Sequence, residues 1–75
     1  MKAILEFDLP DDKDHFTVAS HGFSWWRVAW DMDTWLRSKL KHGHTFKDAD
    51  EVLQACRDFL HATMSDENVS LDEVS

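Results

Sequence analysis

The chain has 75 residues, a formal charge of −7 at pH 7, 43% hydrophobic residues and a single cysteine, Cys56. That length makes one domain, near the lower size limit for a self-supporting core, and one cysteine excludes an internal disulfide. Acidity of this degree argues against direct binding of duplex DNA or anionic membranes, and no apolar run approaches the ~20 residues of a membrane span.

The first element alternates: Ala3, Leu5, Phe7 and Leu9 on one side, Lys2, Ile4, Glu6 and Asp8 on the other. Period two with one polar face predicts a half-exposed strand over about 2–9. Pro10 ends it, and Asp11 and Asp12 offer N-cap chemistry to the next element. Residues 12–21 read as a short helix, with Phe16 and Ala19 inward and Gly22 as its stop. Phe16-Thr17-Val18 would also suit the returning strand of a hairpin.

A helix over 24–42 is the most clearly written element. Trp25, Val28, Ala29, Met32, Trp35, Leu36 and Leu40 recur at three- and four-residue steps and make one broad apolar face. Gly43, after Lys41 and His42, supplies the stop, with cations favoured at the helix end. Thr45-Phe46-Lys47-Asp48 resembles a capping box opening a helix over 46–64. That helix is expected to bury Ala49, Val52, Leu53, Cys56, Phe59, Leu60 and Met64. An acidic tail, 65–75, comes after it, with Val69, Leu71 and Val74 able to dock loosely.

The expected fold is a single α-rich α+β domain: one N-terminal strand, a short helix, and two amphipathic helices packed antiparallel across the 43–45 turn. A lone strand leaves backbone donors and acceptors unpaired. Its partner within the chain would be 15–20 or the tail near Val69–Leu71; otherwise it would be a second copy. The expectation is therefore a homo-oligomer, at least a dimer.

Between Thr34 and Lys47 there is no carboxylate, and Arg37, Lys39, Lys41 and Lys47 give those residues a formal charge of +4. The island lies directly after three of the four tryptophans. Cations beside indole rings suit a small anionic ligand with a flat ring, because charge pairing and stacking act together. At about 100° per residue, Trp26, Trp30, Asp33, Arg37 and Lys41 share an arc of roughly 80° adjoining the core face. The candidate ligand-binding residues are Trp26, Arg27, Trp30, Arg37, Lys39, Lys41 and His44. The competing reading packs Trp26 and Trp30 against the strand or another subunit, and explains Lys39, Lys41 and His42 by the helix dipole.

The remaining chemistry-bearing residues form no convincing centre. His15, His21, His42, His44, His61 and Cys56 match no zinc-ligand spacing, so no metal and no cofactor are expected. Asp31 and Asp33 diverge by about 200° on a helix and cannot act on one bond. Asp48, Asp50 and Glu51 suit a helix N-terminus. No Gly-rich phosphate loop and no nucleophile-base pair is present, and the chain is read as non-enzymatic. No secretory leader is read at its start, which implies a cytoplasmic protein.

The opening MKAILEFDLPDD, the block HGFSWWRVAWDMDTWLRSKLKHG and the closing NVSLDEV resemble a family of small uncharacterised bacteriophage proteins. These share a start like MKAILEF-x-LP and a middle like WD-x-D-x-WLR-x-x-x-KYG. Trp30, Asp31, Asp33, Trp35, Leu36, Arg37, Lys41 and Gly43 fall on that pattern, with His42 where Tyr often stands. The resemblance implies an accessory protein of an infected bacterial host cell that counters host defence by stoichiometric binding. It carries over no catalytic residue. Taken with the residues, that context leaves two roles: the basic island with its indoles sequesters a small anionic signalling nucleotide, or the acidic runs block a host nuclease or other defence protein.

Overall fold

The computed structural model describes residues 1–74. Three helices run α1 Lys13–Ser20, α2 Gly22–His42 and α3 Ala49–Asp66, with a 3-10 turn at Leu71–Glu73. Among the described residues 68% are helical and none is in a strand. The expected strand over 2–9 is therefore overturned, and with it the α+β class. Neither internal partner it could have paired with forms a strand: 15–20 lies in α1, and the tail near Val69–Leu71 is irregular up to the 3-10 turn. The first residues are held by other means. Phe7 meets Phe16 of α1 edge-on at 5.6 Å between ring centroids. Asp12 accepts a hydrogen bond from the Asp8 backbone N–H at 2.9 Å, closing the turn into α1.

α1 and α2 are almost continuous. His21 alone separates them, and the Trp25 backbone N–H already donates to the His21 carbonyl oxygen. Gly22, expected as a stop, instead opens α2. At the far end Gly43 has φ +90°, a conformation in which side chains are strained, and its N–H donates to the Lys39 carbonyl oxygen. α3 begins three residues later than its expected start. The cap is Asp48, whose carboxylate accepts from the Glu51 N–H at 2.9 Å, while Glu51 accepts from the Lys47 N–H at 3.3 Å. The Asp48-to-Glu51 spacing is itself that of a capping box; Thr45 takes no part in it.

α2 and α3 form an antiparallel hairpin. Trp35 stacks on Phe59 at 5.0 Å near the turn, and Val28 packs with Met64 at the open end. The buried apolar residues are Val28, Met64 and Val69, with Trp25 and Leu60 against them, so the core is thin. Val69 shows that the tail is part of it. From there the chain returns to the α1–α2 junction. The Glu73 carboxylate lies 2.7 Å from Nδ1 of His21 and accepts from the Trp25 indole N–H at 3.2 Å. Ser70 caps the turn, reciprocated by Glu73. The last residue of the expected 65–75 tail, Ser75, lies outside the described residues.

Burial of Glu73 would raise its pKa, but hydrogen bonds with His21, Trp25 and the Ser70 backbone outweigh that and hold it below the ordinary carboxylate range. That group is the electrostatic fastening of the tail.

The broad apolar face expected on α2 is divided in two. Trp25, Val28, Met32 and Trp35 turn toward the interior, whereas Ala29, Leu36 and Leu40 stay exposed. On α3, Ala49 and Leu53 are likewise exposed. The surface that results is large. The chain presents 6474 Å² to solvent, against about 4,800 Å² for a folded monomer of its mass. Its radius of gyration is 16.4 Å, where a compact chain of this length has about 11 Å.

Candidate functional site

The residues singled out in the sequence divide between two faces of α2. On the outer face Trp26 and Trp30, one helical turn apart, stack at 5.5 Å with 26° between their planes. Phe23, absent from the candidates drawn from the sequence, extends this row and lies 5.7 Å from Trp26. Its spacing of three from Trp26 is the signal that could have found it. Phe23 is 74% exposed, Trp26 52% and Trp30 54%, so each ring keeps a face open to solvent. At about 100° per residue, Phe23, Trp26, Trp30, Arg37 and Lys41 fall within about 60° of arc. This arc lies across the helix from the core, not beside it as the periodicity suggested.

Arg37 and Lys41 border a shallow depression of ≈ 440 Å³ that Thr34, Ser38, Leu40 and His42 complete. Two cations and two hydroxyls suit a phosphate or carboxylate. Neither cation is in an ion pair with a carboxylate among the described residues. At 1.5 Å rise per residue, Trp30 and Arg37 are about 10 Å apart along the axis, and Trp26 and Arg37 about 16 Å. Platform and cations therefore share one face of a single chain without converging on one point.

Arg27 sits at the edge of the row, with its Nε 3.5 Å from Asp31 one turn on. That pairing is solvent-exposed and leaves the guanidinium only partly engaged. Lys39 and His44 belong elsewhere. The Lys39 ammonium lies 5.7 Å from the Trp35 ring centroid, on the side of α2 that meets α3. His44 packs on Phe46 at 5.1 Å and accepts from the Phe46 N–H through Nδ1. With Trp35, Phe46 and Phe59 they build the aromatic plug of the α2–α3 turn. Two of the seven candidates are thus set apart from the Trp26–Trp30 row.

Among the described residues, no three His, Cys, Asp or Glu side chains are placed to hold a metal ion. Cys56 is half-buried on α3. No described helix is long and apolar enough to cross a membrane. No protein-family model, curated protein or solved structure matches the chain.

Proposed function

We propose that the protein is a non-enzymatic binding protein that works as a homo-oligomer and captures a small anionic ligand with a flat ring, of the nucleotide class, without turning it over. The exposed stacked pair Trp26–Trp30, on the same face as Arg37 and Lys41, neither of them in an ion pair among the described residues, carries this reading. Stacking serves any base because every base has a π-face, and the two cations supply attraction for phosphate. Arg27 can contribute by releasing Asp31; Lys39 and His44 contribute only through the stability of the turn. The resemblance to small phage proteins supplies the context: an anti-defence role in the cytoplasm of an infected bacterium, with a signalling nucleotide as the captured species.

A thermal-shift and calorimetric screen against mono-, di- and cyclic nucleotides tests it. A ligand that binds only the folded chain raises the melting temperature by mass action, and it is recovered chemically unchanged after denaturation. No shift with any nucleotide, or recovery of a converted product, would refute it.

One observation favours a second reading. Of the fifteen side-chain carboxylates, only Asp31 and Glu73 stand in ion pairs among the described residues. An unneutralised acidic surface suits a protein inhibitor that occupies the nucleic-acid groove of a host nuclease. Co-purification with such an effector, together with indifference to nucleotides, would select this role.

A further inference from the structure

α2 presents to solvent the kind of surface that helices elsewhere bury. Phe23, Trp26 and Trp30 make an exposed aromatic row, and Leu36 and Leu40 stand exposed on its flank, with Leu40 85% exposed. The chain exposes about 1,700 Å² more than a folded monomer of its mass, shared between α2, the N-terminal segment with Ile4 and Leu5, and Leu53 of α3, and a stable interface takes about 800 Å² or more from each partner. A second copy seated on α2 can cover part of that excess, and the order of residues along the face says how.

Reversing α2 about a point between Asp31 and Met32, half a residue from its midpoint at Met32, brings Phe23 beside Lys41, which shares its arc, and pairs Trp26 with Arg37 and Trp30 with Asp33. Each pair is favourable: ammonium by the phenyl ring, guanidinium over indole, indole N–H toward carboxylate. Parallel packing gives the opposite result. It sets Arg37 on Arg37, Asp33 on Asp33 and Lys41 on Lys41, and like charges brought together in an interface are costly. The pattern is self-complementary in one direction only, as a two-fold interface requires.

We infer that two chains associate through antiparallel α2 helices, and that each ligand site is shared, with Phe23 and Trp26 of one protomer facing Arg37 and Lys41 of the other. The ligand in this statement rests on the nucleotide reading of the proposed function; the dimer does not. Sharing removes the separation found within one chain. Trp26 and Arg37 stand about 16 Å apart along their own helix, yet reversal brings the Arg37 of one copy beside the Trp26 of the next. Symmetry yields two equal sites, one at each end of the interface.

Cysteine pairing separates the possibilities. Phe23→Cys and Lys41→Cys are made singly, each with Cys56→Ser, and oxidised alone and as an equimolar mixture. In the antiparallel dimer positions 23 of the two chains are about 25 Å apart, far beyond the Cα separation of about 7 Å that a disulfide tolerates. Neither variant then links to itself, while the mixture yields a linked pair containing one of each, up to about half of all dimers by random exchange. Self-linking of either variant indicates parallel packing and overturns the proposal. Absence of linking in the mixture, with unaltered protein sedimenting as one chain, also overturns it. Folding of the variants is checked by circular dichroism, and the mass of the unaltered protein decides if a variant fails to fold. The nucleotide screen is run on the same unaltered protein. A thermal shift in a monomeric chain defeats the shared site and leaves the nucleotide reading standing. Mixed linking without any nucleotide shift leaves the dimer standing and defeats the shared ligand site.

Discussion

Replacing Trp30 by alanine distinguishes a chain that ends at its own surface from one that continues into a partner. In a lone chain Trp30 is already 54% exposed. Its outer half contributes nothing to folding, and removing it relieves exposed apolar area. A tryptophan presents 150–250 Å², so roughly 100 Å² of this one is left for a partner to cover. At about 25 cal/mol per Å² that area contributes about 2.5 kcal/mol per copy. A two-fold interface counts the residue twice, giving about 5 kcal/mol, or more than three orders of magnitude in the dimer dissociation constant. The figure is an upper one, since association also orders side chains. Sedimentation velocity across a concentration series reads the effect directly. Trp30→Ala is expected to shift the dimer-to-monomer midpoint upward by at least a hundredfold, with the helical circular-dichroism spectrum retained. A variant that associates as the parent does would refute the reasoning, because Trp30 stacks on Trp26 of its own helix and leaves about half of its surface to solvent.

Val28→Ala removes two methyl groups from one of the few buried positions and leaves a small cavity, which costs about 2 kcal/mol. For a domain of this size the melting temperature should fall by about 10 °C, and a drop under a few degrees in a thermal melt would contradict the assigned core. Because the folded pKa of Glu73 is depressed, its contribution to stability is present above the ordinary carboxylate range and is lost as pH falls through the folded value. Glu73→Gln should therefore flatten the acid limb of the stability–pH profile, and an unchanged limb would remove the tail's fastening from the account. Arg37→Glu is expected to abolish nucleotide binding in calorimetry while leaving intact any inhibition that works through the carboxylates; retained binding would move the anion site elsewhere.

Much of the helical framework was legible because a period near 3.6 survives in α2 and α3 whatever surrounds them. The strand was not. Alternation at Ala3, Leu5, Phe7 and Leu9 records only which side chains could face a common surface, and a strand exists only with a partner. Here 15–20 took helical structure, the tail near Val69–Leu71 formed no strand, and Phe7 was left to dock on Phe16. The folded tail was recoverable from local chemistry. Ser70 and Glu73 stand at capping-box spacing, as do Asp48 and Glu51, but a hydrophobic pattern read by itself passes over both pairs. Its long-range half, Glu73 with His21 and Trp25, spans about fifty positions and leaves no mark on sequence spacing.

The candidate site was legible in composition and not in arrangement. Basic residues and indoles announced themselves by proximity in the chain, yet Lys39 and Arg37, two positions apart, face opposite sides of α2. An apolar face as wide as the one on this helix does not say which half meets α3. That choice was made by the Trp35–Phe59 stack and the Val28–Met64 contact, and it left Leu36 and Leu40 outside, on the flank of the tryptophan row.

The central claim, that a second copy covers the outer face of α2, is tested most directly by sedimentation equilibrium of the unaltered chain at tens of micromolar concentration. The account predicts a mass at least twice the 8.8 kDa of one chain. A mass that stays at 8.8 kDa across the concentration range would contradict it.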